Sequence, residues 1–144
     1  MMRLRRRSMP AMWLLKTEPS TYSYDDLERE GRTVWDGVAN AAALKHMRAM
    51  KVDEGAIIYH TGAEKAAVGI ARVVRAAYAD PEQDDPRRIV VDVAAVRRLK
   101  QPVPLTLLKA SRLFAASPLV RQGRLSVVPL DRAQWEAIEK GAGL

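Results

Sequence analysis

The stretch "AIIYHTGAEKAAVGIARVVRAAYADPEQDDPRRIVVDVAAVRRL", residues 56–99, decides the fold. Ala56–His60 reads as a strand carrying Ile57, Ile58 and Tyr59, with Gly62 in the turn behind it. Ala67–Ala77 reads as a longer strand, with Val68, Ile70 and Val73 in its apolar set. "ADPEQDDPRR" is an acidic loop with two prolines, after which Ile89–Leu99 returns as a second long strand. Strands that follow one another through turns, without an intervening helix, place β structure at the centre of the chain and argue against strict βαβ alternation.

Shorter elements flank this centre. Met12–Lys16 reads as an opening strand stopped by "EPS". Ser23 has the character of a helix N-cap, with Asp26 three residues on in the capping-box position, and the helix Tyr24–Glu30 stops at Gly31. "TVWDGV" (Thr33–Val38) is extended and turns at Gly37. Asn40 is placed to cap a helix over Ala41–Met50, where Leu44, Met47 and Met50 share one face. Beyond "QPVP" the pattern predicts a short helix at Leu105–Lys109 and a last strand at Arg124–Val128. Asp131 with Gln134 opens a terminal helix that turns Trp135 and Ile138 inward and stops at Gly141. About five strands with short flanking helices predict an α+β, barrel-like domain.

The 144 residues suit one domain, and 48% hydrophobic with 28% charged residues is a globular composition. No apolar run approaches the length of a membrane span, so no membrane partner is expected. The absence of cysteine excludes disulfides, thiolate zinc sites and a cysteine nucleophile, and two histidines make a histidine-rich metal centre implausible. The net charge of +7 is unevenly spread, because Arg3, Arg5, Arg6 and Arg7 leave the remainder at +3, 20 basic against 17 acidic. Residues 1–11 are expected to be a basic, disordered extension ahead of a domain spanning 12–144. They do not read as a signal peptide, since "KTEPS" cuts the apolar run after "MWLL" short. The expected setting is a monomer in the cytoplasm.

Motifs for catalysis or phosphate binding of the strong kind are missing: there is no GxGxxG, P-loop, GxSxG or HExxH. His46 reads as a structural or solvated histidine. His60, at a strand end after Tyr59, divides between a structural hydrogen bond and a ligand contact. "LLKTEP" sets Lys16, Thr17 and Glu18 at a strand end, where polar groups can be aimed into a pocket or form an ordinary turn. "VWDGVAN" sets Trp35 beside a glycine turn, where an indole can stack on a flat ligand or fill the core.

In order along the chain, "WLLKTEP", "YSYDDL", "VWDGVAN", "MRAMKV", "YHTG", "AVGIARVV", "VDVAAVRRL" and "RQGRLSVVPL" resemble the EVE domain, a family of the PUA-like superfamily related to YTH domains. The resemblance runs from about Met12 to Ile138. It implies a PUA-like β-barrel and a non-catalytic domain that binds a modified base of DNA or RNA, with no cofactor or metal. A link to restriction or RNA-processing partners is implied as well. The pocket residues it implies are Lys16, Thr17, Trp35, Asn40, Tyr59, His60, Thr61, Arg124, Leu125 and Ser126. In that set Trp35 supplies a stacking face, the short polar side chains check the base, and a cation meets a flanking phosphate. The chain departs from the pattern of many relatives: Ala39, Ala41, Ala42 and Leu44 stand in place of Arg, Tyr, Gln and Arg, and Arg88 in place of Trp. Weaker contact with a nucleic-acid backbone is expected from these changes.

The competing reading is an amidohydrolase, similar to some ASCH domains, that removes an acyl group from a modified cytidine. Thr17 would be its nucleophile, Lys16 the base and Glu18 an orienting carboxylate. Adjacent strand residues point to opposite faces, so this needs a bend at Lys16–Thr17.

Overall fold

A computed structural model describes residues 11–143. The basic extension read from the sequence lies outside the described residues except for Ala11, whose amide donates to Glu54 Oε2 at 3.2 Å.

Three antiparallel strands form the centre: β3 (Gly55–His60), β4 (Ala66–Ala79) and β5 (Ile89–Pro104). β1 (Met12–Thr17) runs parallel to β3, and β6 (Val127–Leu130) pairs antiparallel with the far side of β1. At the opposite end β2 (Arg32–Trp35) pairs antiparallel with β5, which gives the order β2-β5-β4-β3-β1-β6. The helices are α1 (Tyr24–Glu30), α2 (Ala41–Ala49), α3 (Leu105–Lys109), α4 (Pro118–Arg121) and α5 (Arg132–Gly141), with one 3₁₀ turn at Arg112–Phe114.

The α+β class holds, but the barrel of five strands is corrected to an open sheet of six. β2 and β6 are both edges, and closure would require hydrogen bonds between them. The extended "TVW" segment supplies the additional strand. The sheet still rolls, because the β4–β5 ladder slips register at four places. Each such irregularity bends the strand and adds local twist. β5 is longer than its apolar pattern suggested and continues through Pro102 and Pro104. There β2 no longer covers its outer side, and a proline without an amide donor is tolerated on an unpaired edge. The last strand begins at Val127 rather than Arg124, and α5 includes Gly141, leaving the chain to turn at Gly143 with φ +81°.

The caps read from the sequence are present. Ser23 and Asp26 form a reciprocal capping box on α1, and Asp131 and Gln134 do the same on α5. Gly31 ends α1 with φ +78°, a conformation that favours glycine. Leu44, Met47 and Met50 of the α2 face are buried as expected. Leu44 thus belongs to the core.

Two contacts hold helix and loop onto the sheet. Tyr24 is fully buried, lies flat against Gly69 of β4, and donates its hydroxyl to Ile70 O at 2.7 Å. Glu54, buried just before β3, accepts from the Trp13 indole N–H at 2.9 Å and the Lys51 amide at 2.8 Å.

Candidate functional site

The roll of the sheet brings its two edges to face each other across a gap. The gap is a cavity of about 520 Å³. One wall is the end of β1 and the residue leading into β6: Lys16, Thr17, Glu18 and Ser126. The other is β2 and the turn after it, from Thr33 through Trp35 to Val38. Thr21 and Tyr22, from the loop between β1 and α1, form the floor between them.

Each wall is held by pairing within the sheet. The Lys16 amide donates to Ser126 O at 2.9 Å, and the Thr61 amide donates to Thr17 O at 2.9 Å, so the end of β1 stays in the sheet. Trp35 is held through β2 against Val91 of β5 and is only 7% exposed. Tyr22 meets the Trp35 ring edge-on, with centroids 6.2 Å apart and planes at 89°. That geometry suits the quadrupoles of two aromatic rings and fixes the indole. Gly37, at φ +77°, makes the turn that carries Asp36 and Val38 along the cavity.

The polar groups are mostly committed. Lys16 Nζ donates to Gly123 O at 2.9 Å and lies 5.8 Å from the Tyr59 ring centroid. Half-burial lowers the Lys16 pKa. Thr17 Oγ1 donates to Tyr22 O at 2.6 Å. Glu18 accepts from the Ser20 amide at 2.9 Å and hydroxyl at 2.7 Å, and these bonds lower its pKa. The Tyr22 hydroxyl donates to Glu30 at 2.6 Å, and burial together with that carboxylate pushes its pKa up to about 12. Lys16, Thr17 and Glu18 therefore point to three separate partners, and among the described residues no hydrogen bond links them into an acid–base relay.

Of the ten residues implied by the family pattern, four line the cavity: Lys16, Thr17, Trp35 and Ser126. The other six stand apart from its lining. The Asn40 side chain caps α2, accepting from the Ala43 amide at 3.0 Å. His60 is buried, accepting the Tyr24 amide at Nε2 (3.0 Å) with Nδ1 2.7 Å from Glu64, and so ties β3 to α1. Tyr59 and Leu125 are core residues, and Thr61 supports the end of β1. Arg124 is exposed, two residues from Ser126, without a protein partner among the described residues. Periodicity does not reveal Tyr22, Thr33 or Asp36. Tyr22 and Asp36 each stand within a motif that carries the family resemblance, but nothing local marks them as lining. Among the described residues no cluster of histidine, aspartate or glutamate could hold a metal ion, and no helix is long and apolar enough to cross a membrane.

Residues 11–141 match the family described as EVE domain. Thymocyte nuclear protein 1 of Homo sapiens is 30% identical, over 92% of this chain and 74% of its own length. A solution structure from Rhodopseudomonas palustris superposes with a TM-score of 0.87 at 38% identity, over 92% of this chain and 93% of the other. The crystal structure of human THYN1 protein in complex with DNA containing 5-methylcytosine superposes with a TM-score of 0.82 at 29% identity, over 93% and 98% of the two chains. An ASCH protein from Zymomonas mobilis, at 11% identity and a TM-score of 0.57 over 90% and 94%, shares the fold alone.

Proposed function

The chain belongs to the EVE domain family, and from that premise we propose that it is a non-catalytic reader of a modified nucleobase in DNA or RNA, of which 5-methylcytosine is the leading class. The observation that carries this reading is the cavity between the sheet edges, walled by Trp35, in a chain similar to a human protein crystallised with DNA containing 5-methylcytosine. The base must leave its stack to enter, as a flipped or single-stranded nucleotide, at a cost of about a few kcal/mol. Its entry is favoured by stacking on the accessible part of Trp35 and by hydrogen bonds from Lys16 and Ser126. Arg124, exposed and two residues before Ser126 in the chain, is the cation this reading assigns to a flanking phosphate. The separate hydrogen-bond partners of Lys16, Thr17 and Glu18 support binding over acyl transfer, because a hydroxyl nucleophile needs a base in contact with it.

Because Trp35 is largely buried, the test is Trp35→Leu, which removes the π-face while keeping an apolar core side chain. Its affinity for an oligonucleotide containing one 5-methylcytosine should fall about 5- to 150-fold, the equivalent of roughly 1–3 kcal/mol of stacking. Unchanged affinity in a variant with unchanged circular dichroism would remove the stacking role. Arg124→Ala should flatten the slope of log affinity against log salt by about 1, as expected for loss of one phosphate contact. An unaltered slope would place the phosphate elsewhere.

A further inference from the structure

Asp36 and Lys16, on opposite cavity walls, keep hydrogen-bonding capacity that the fold does not use. Asp36, exposed in the turn after Trp35, lines the cavity and has no hydrogen-bond or ion-pair partner among the described residues. Lys16 spends one of its three ammonium donors on Gly123 O and has no carboxylate partner. An anion and a cation thus line one cavity without pairing with each other, each with unused hydrogen-bonding capacity. That arrangement suits a flat ligand that offers an acceptor to one side and a donor to the other.

We propose that Asp36 is the residue by which this cavity selects an amino pyrimidine over a keto pyrimidine, with Lys16 setting the register of the base. The inference rests on the reading of the cavity as a base site. A carboxylate only accepts hydrogen bonds, so it is complementary to the exocyclic amine of 5-methylcytosine and repels the O4 carbonyl of thymine. Acceptance of a cytosine amine by Asp or Glu is a recurrent form of base readout. The O2 carbonyl is common to both bases, so a Lys16 donor there orients either one without choosing between them. The 5-methyl group and the ring face are common as well. The bases differ only at N3 and at the group on C4, and the proposal assigns the C4 group to Asp36, whose carboxylate accepts from the amine and not from O4.

The test is equilibrium binding of the full chain to two single-stranded oligonucleotides that differ only in carrying 5-methylcytosine or thymine at one position. The unmutated protein should prefer 5-methylcytosine by about 10- to 150-fold, the range for a hydrogen bond to a charged group. Asp36→Asn should bring the two affinities together, because a carboxamide can turn either its oxygen or its amine to the base. Asp36→Ala should also erase the preference, without weakening the binding of thymine. Asp36 is exposed, so both variants should melt with the unmutated protein. Equal affinity of the unmutated protein for both oligonucleotides overturns this inference and leaves the base-site reading standing. Failure to bind either overturns both readings. A preference that survives in both variants assigns the discrimination to another residue and overturns the role of Asp36.

Discussion

Replacing Glu54 with alanine lowers the stability of the fold by about 2–5 kcal/mol, because it leaves a buried donor without a partner. The carboxylate is 6% exposed and gathers the Trp13 indole N–H, the Lys51 amide and the Ala11 amide. Trp13 is itself 4% exposed, so its indole N–H has little direct access to water. At about 3 °C per kcal/mol for a chain of this size, the melting temperature should fall by roughly 6–15 °C. Glu54→Gln keeps one acceptor oxygen and should cost only about 1 kcal/mol. A double-mutant cycle isolates the bond: with Trp13→Phe in place the buried donor is gone, and Glu54→Ala should then cost distinctly less. An equal cost in both backgrounds would show that the indole bond contributes nothing.

Gly69→Ala should destabilise by about 2–4 kcal/mol, an unusual cost for one added methyl group. A Cβ at this position would stand 2.4 to 2.5 Å from three atoms of the Tyr24 ring, far inside contact distance. The ring cannot swing away freely. Its hydroxyl is bonded to Ile70 O at 2.7 Å, its amide to His60 Nε2 at 3.0 Å, and the Arg98 guanidinium lies 5.2 Å from its centroid. Relief of the clash therefore breaks the Tyr24 hydroxyl bond or bends β4. Chemical denaturation measures the loss, and Tyr24→Leu provides the control, since a slimmer side chain should make the same Gly69→Ala change much less costly. A full penalty in that background would mean that Gly69 is needed for its backbone and not for the ring above it.

Within the candidate site, Asn40 shows how a residue is assigned twice. Its sequence context marks a helix cap, and the family pattern places it at the pocket. The structure commits its side-chain oxygen to the Ala43 amide. His60 divided in the same way between support and ligand contact, and both of its ring nitrogens are engaged by protein. Lys16, Thr17, Trp35 and Ser126 were grouped by the ordered family motifs, since no periodicity relates positions so far apart in the chain.

The sequence by itself determined the N-caps of α1, α2 and α5, the central run of strands and the family. Ser23 with Asp26, Asn40, and Asp131 with Gln134 act on amides three residues away, so their signals are complete within a few residues. Strand periodicity is equally local, which is why β3, β4 and most of β5 could be read directly. Whether the sheet closes was decided only in three dimensions. That outcome depends on twist summed over six strands and on register slips between β4 and β5, and no single segment carries either quantity. The cavity is a product of the same roll. Trp35 on one edge strand faces Lys16 and Ser126 at the other edge, and Tyr22 and Asp36 become lining residues only because those edges approach without joining.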